Sequence, residues 1–119
     1  MANRVTFEQR GDVVIAKVSG RVHGTYSNEI DTSLTHAARQ GKYLLLDLGE
    51  LDYIASSGLR IFLKLRNEAM SKGGQVAILH PSENVRKILE VAGFEHLFPM
   101  VRNIDEAMEL WGINTDRQL

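Results

Sequence analysis

Apolar and polar residues alternate loosely at the start of the chain, with Val5 and Phe7 before Gly11-Asp12 and Val13, Ile15 and Val18 after it. That pattern predicts a β-hairpin with one face buried. Between Thr25 and Gln40 the period changes. Tyr26, Ile30, Leu34 and Ala37 fall on one helical face, and Gly41 stands where such a helix should stop. Tyr43-Leu44-Leu45-Leu46 is apolar without alternation, as expected of a strand covered on both faces and central in a sheet. Leu59, Phe62, Leu63, Ala69 and Met70 follow the spacing of an amphipathic helix ending near Gly73-Gly74. Val76-Ala77-Ile78-Leu79 is another buried strand. Val85, Ile88, Leu89 and Ala92 mark a third helix closed by Gly93, and Phe98 to Val101 a short edge strand. Asn103 with Glu106 three residues later resembles a capping box, opening a last helix through Ala107, Met108 and Trp111.

The order β-β-α-β-α-β-α-β-α implies an α/β fold: a mixed sheet of about five strands with four helices packed on it, joined by right-handed crossovers. No linker, repeat or low-complexity stretch interrupts it, so residues 1–119 read as a single domain whose last few residues form a flexible tail. A chain of 119 residues buries roughly two-thirds of its unfolded surface and needs no disulfide or metal to fold.

Composition removes several kinds of function. A formal net charge of -1 lacks the basic stripe with which nucleic-acid binders displace counterions, and no polybasic membrane anchor stands out. The absence of cysteine excludes disulfides, thiolate metal sites and cysteine nucleophiles. Apolar runs of about four residues fall far short of the roughly 20 that cross a bilayer, and Met1-Ala2-Asn3-Arg4 leads into no signal-peptide core. The chain reads as soluble and cytoplasmic. His23, His36, His80 and His96 are scattered without metal-ligand spacing. Gly41-Lys42 fails as a phosphate-binding loop, because His36 occupies the first glycine position and Tyr43 the magnesium-binding hydroxyl position. No cofactor is expected. Nor is an enzyme: a nucleophile elbow needs glycine two residues before its serine, and Ile54 and Ala55 stand there for Ser56 and Ser57.

The informative stretch is Leu51-Asp52-Tyr53-Ile54-Ala55-Ser56-Ser57-Gly58-Leu59-Arg60. It opens the amphipathic helix, so Ser56 should sit at the N-cap or in the first turn. A serine there can simply cap the helix, contributing about 1 kcal/mol. It also places a phosphorylatable hydroxyl beside unbonded N–H groups and the positive end of the helix dipole. The fold would tolerate a phosphate's charge of about −1.5 to −2 there, whereas a partner's acidic or apolar surface would not. Ile61 and Leu65 lie four residues apart on a flank of the helix, rimmed by Arg60 and Lys64. They form an exposed apolar patch beside Ser56, unless the helix buries a wider arc.

The order of elements and these motifs resemble the STAS family (sulfate transporter and anti-sigma factor antagonist), most closely its stand-alone anti-sigma factor antagonists. The similarity covers nearly the whole chain. It runs through Val18-Ser19-Gly20-Arg21, Leu44-Leu45-Leu46-Asp47-Leu48, Tyr53-Ile54-Ala55-Ser56-Ser57-Gly58-Leu59-Arg60, Gly73-Gly74, Val91-Ala92-Gly93-Phe94 and Leu97-Phe98. The resemblance implies that the dephosphorylated chain binds an anti-sigma factor serine kinase and frees a sigma factor. The kinase would phosphorylate Ser56, with Ser57 as the alternative acceptor, and a PP2C-type phosphatase would reverse it. Expected partner-binding residues are Arg21, His23, Ala55, Ser56, Ser57, Gly58, Arg60, Ile61, Lys64 and Leu65, in a monomer or weakly self-associating chain. Ala55 departs from the family, where Asp or Ser is common, and so does His23, where Asp is frequent. Other members serve lipid-transport complexes or signalling scaffolds, so a STAS subunit of a larger assembly is the alternative, with a nucleotide-binding protein behind it.

Overall fold

The sheet grows outward from a hairpin. In the computed structural model, which describes residues 4–113, β1 (Arg4–Arg10) and β2 (Val13–Val22) run antiparallel. Gly11, at a φ of 59°, makes the tight turn between them. There follow α1 (Tyr26–Ala38), β3 (Tyr43–Asp47), β4 (Leu51–Ile54), α2 (Ser56–Ser71), β5 (Val76–Leu79), α3 (Glu83–Val91), a 3-10 turn (Phe94–His96), β6 (Met100–Val101) and α4 (Ile104–Leu110). The expected C-terminal tail lies outside the described residues.

The strands are ordered β1-β2-β3-β5-β6, all pairs beyond β1–β2 being parallel. The sheet has six strands, because β4 pairs in parallel with the far end of β2, past a bulge at Gly20/Arg21. The hairpin is also less one-sided than its alternation suggests. Val13 to Ala16 are buried on both faces, since β2 lies inside the sheet and both faces are covered. On one face Val14, Ala16, Leu44, Leu46 and Ile78 pack under α1, α2 and α3. On the other, Val13, Ile15, Leu45 and Ala77 meet Ala107 and Met108 of α4.

Two helices are rotated from their expected settings. In α1 the stripe is Ser27, Ile30, Leu34 and Ala37, while Tyr26 is half exposed. In α2 the buried residues are Gly58, Ile61, Phe62, Leu65 and Ala69, and Met70 points to solvent. Ile61 and Leu65 are therefore not a surface patch: 6% and 1% of their surfaces remain exposed. Leu59 and Leu63 pack at the margin of the core instead. The cause is Gly58. A Cβ there would sit 2.6 Å from Ile54 Cγ1 and 2.9 Å from Val22 Cγ1, so the missing side chain lets this turn press onto β2 and β4. The helix turns accordingly, and burial of Ile61 and Leu65 contributes about 1.5–3 kcal/mol each.

Candidate partner-binding site at the start of α2

The site begins where β2 and β4 end side by side. Gly20, at a φ of 93°, makes the bulge that shifts the register, so that Arg21 lies beside Tyr53 and Val22 beside Ile54. The Arg21 guanidinium stacks over the Tyr53 ring, 4.8 Å from its centroid. The next rung is a single bond, from the Ala55 N–H to the Val22 carbonyl at 2.8 Å. That bond brings His23, the residue after Val22, to the start of α2. His23 meets the Tyr26 ring edge-on at 5.8 Å and accepts from the Tyr26 N–H through its carbonyl, turning the chain into α1.

Ala55 is the N-cap of α2 and has no side-chain oxygen to offer the helix. Its carbonyl accepts from the N–H groups of Gly58 and Leu59 at 2.9 and 3.1 Å. The N–H groups of Ser56 and Ser57 have no acceptor among the described residues, as the first donors of a helix do not unless a cap or ligand meets them. No acidic residue occupies the first turn. The positive end of the helix dipole is therefore left uncompensated.

The two serines are held in different ways. Ser56, as expected, is in the first turn. It is exposed, and its hydroxyl makes no hydrogen bond among the described residues. Ser57 is half-buried and turned toward α1, where its hydroxyl is 2.7 Å from that of Ser27. Ser27 is the one buried polar residue among the described residues, with 7% of its surface exposed. Its place was readable, since Ser27 stands three residues before Ile30 on the same helical stripe.

From this pair a shallow groove of about 280 Å³ runs between α1 and α2, bordered by Asn28, Asp31, Arg60 and Lys64. Lys64 forms an ion pair with Asp31 across it. That hydrogen bond, with a lesser one from the Thr35 hydroxyl, holds the Asp31 carboxyl below the usual carboxylate range despite some burial. Arg60, one turn beyond Ser56, is exposed and makes no ion pair among the described residues. Arg21, His23, Ala55, Ser56, Ser57, Gly58 and Arg60 thus gather at one end of the sheet, and Lys64 lies further along the groove. Ile61 and Leu65 face the core. Ser27, Asp31 and Tyr53 join the site without having been anticipated.

The STAS domain family model matches residues 4–107. The chain belongs to the STAS domain family. Its relatives include BtrV of Bordetella bronchiseptica, provisionally named as an anti-sigma factor antagonist, 28% identical over 87% of this chain and 90% of that protein. Among solved structures, an anti-sigma factor antagonist from Mycobacterium paratuberculosis superposes with a TM-score of 0.80 at 17% identity, covering 92% of this chain and 93% of the other. The unphosphorylated form of Bacillus SpoIIAA, also an anti-sigma factor antagonist, gives 0.75 at 22% identity, covering 96% of this chain and 100% of the other. Its phosphorylated form gives 0.68 at 20% identity over 89% and 97%. Among the described residues of this STAS protein, no helix is long and apolar enough to cross a membrane.

Proposed function

We propose that this STAS protein is a cytoplasmic anti-sigma factor antagonist switched at Ser56. It binds an anti-sigma factor serine kinase while Ser56 is unmodified, is released when the kinase phosphorylates that residue, and is reset by a PP2C-type phosphatase. Relatives named as anti-sigma factor antagonists support the role, and SpoIIAA supports the switch in that it has been solved with and without phosphate.

The observation that carries the choice of residue is the difference between the two serines. A kinase must reach a hydroxyl in extended or accessible chain. Ser56 offers one to solvent, while Ser57 is half-buried and bonded to Ser27. A phosphate on Ser56 would lie against unbonded N–H groups at the start of α2, with Arg60 one helical turn away. Within the domain that charge is well placed. At an interface it must be stripped of water, which is costly unless the partner supplies a counter-charge. Binding therefore breaks while the fold survives. The partner surface is the end of the sheet around Ser56, flanked by the Arg21 to Asn28 segment and by Arg60 and Lys64. Ile61 and Leu65 act from beneath it.

The test uses the cognate kinase with ATP. Mass spectrometry should place the phosphate on Ser56, and calorimetry should show that Ser56→Ala binds the kinase while Ser56→Asp loses at least about tenfold in affinity, or about 1.4 kcal/mol. Phosphate solely on Ser57, or equal binding by both variants, would overturn the assignment.

A further inference from the structure

Among the described residues, β1 is the outermost strand of the sheet and pairs with β2 alone. Of its seven residues only Val5 is partly buried. An exposed edge of this length is a template for another strand. Side chains alternate along it, so Val5, Phe7 and Gln9 share one face, and Arg4, Thr6, Glu8 and Arg10 the other. On the first face Val5 packs on the core, and Phe7, still 41% exposed, meets the His36 ring edge-on at 5.9 Å. An open hollow of about 440 Å³ lies between Val5, Phe7 and the α1 residues Thr32, Ser33 and His36.

We propose that this edge binds a second copy of the chain, two β1 strands pairing antiparallel about a two-fold axis at Thr6. An axis perpendicular to the sheet keeps like faces together, so each residue can oppose only residues of its own face. Centred on Thr6, the pairing sets Arg4 of each copy opposite Glu8 of the other, and Val5 opposite Phe7. Centred on Phe7, it sets Arg4 against Arg10; centred on Glu8, it sets glutamate against glutamate. Both alternatives oppose like charges, which is unfavourable. Centred on Val5 or Gln9, only three residues of each strand overlap, so among the registers that pair five or more, charge complementarity selects the partner and the register together. In the chosen register the second copy's Phe7 lies beside Val5 and next to the hollow. Glu8 currently pairs with Arg10 at 3.3 Å, but both side chains are about half exposed, and such a pair gives way easily.

One strand pair buries less than the roughly 1,200 Å² of stable complexes, so the dimer is weak. The axis turns the two copies end for end, so their Ser56 sites point in opposite directions and both stay open to partners. Sedimentation equilibrium of the full chain up to about 1 mM should show a monomer–dimer equilibrium. Arg4→Glu and Glu8→Arg should each weaken it about tenfold, since each opposes two pairs of like charges. An equimolar mixture of the two variants should dimerise again, because each copy then carries the charge the other needs. The unsubstituted chain supplies a check that involves no mutant: its dimer should weaken on raising NaCl from 0.1 to 1 M. A chain that stays monomeric, a mixture no better than its components, or a dimer indifferent to salt and to both reversals overturns the proposal.

Discussion

The starts of α2 and α3 use serine in opposite ways. At α3, Ser82 is the N-cap: its hydroxyl accepts from the Val85 N–H and donates to the Leu51 carbonyl at 2.6 Å. Asn84 binds the Asp52 carbonyl, and Glu83 supplies negative charge to the first turn. That end is capped, charge-matched and tied to β4. At α2 the cap is Ala55, the first turn has no acid, and Ser56 faces solvent. Its first turn is held instead by packing, with Gly58 pressed onto Ile54 and Val22. One helix start is finished by its own side chains. The other is fixed in place with its hydrogen-bonding end left open, an arrangement that can take up a negative charge without repacking.

The comparison can be tested at several strengths. Gly58→Val should cost about 2–3 kcal/mol, because the new atoms meet Ile54 and Val22 in a packed layer. Thermal unfolding should fall by about 10 °C. A neutral result would mean that packing at Gly58 does not fix α2. Ser82→Ala should cost about 1–2 kcal/mol by urea denaturation, through loss of the cap and of the bond to Leu51. The same change at Ser56 should stay within about 0.5 kcal/mol. Equal losses at the two serines would erase the distinction.

Ser27→Ala should cost about 1 kcal/mol, since it leaves the half-buried Ser57 hydroxyl without its partner. Asp31 gives a pH-dependent test. Its pKa is lower folded than unfolded, chiefly through Lys64. Its contribution is therefore complete above the unfolded value of about 4 and fades as pH falls through the folded one. Asp31→Asn should flatten that part of the acid limb by a few tenths of a kcal/mol, as suits an exposed pair. In the opposite direction, Ser56→Asp should leave stability unchanged or raised by a few tenths of a kcal/mol, by supplying the charge the open dipole lacks at an exposed site.

The order of elements was legible because the hydrophobic period changes wherever a strand gives way to a helix. β4 leaves no such signal, for a physical reason: Leu51-Asp52-Tyr53-Ile54 is four residues long, contains an acid, and is recognisable only through its pairing with β2. The buried face of α2 is not legible from spacing, because apolar residues at 59, 61, 62, 63, 65, 69 and 70 go most of the way around the helix. No single stripe wins on spacing alone, and a close contact at Gly58 decides. The placing of Ser56 in a first turn followed from local sequence. The difference between Ser56 and Ser57 did not, since it depends on Ser27, 30 residues away in the chain.

The Ser27–Ser57 contact has a property that neither a salt bridge nor an apolar contact would share. Either oxygen can be the donor, so the bond can reverse direction by rotation of two O–H groups while every heavy atom stays in place. Were a negative charge added at the neighbouring Ser56, the direction with the Ser57 proton turned toward that charge and Ser27 donating to Ser57 would be the favoured one. Hydroxyl rotation is among the fastest motions a protein has. The seam between α1 and α2 is in effect a two-position electrical swivel, able to answer a nearby change of charge without being loosened by it.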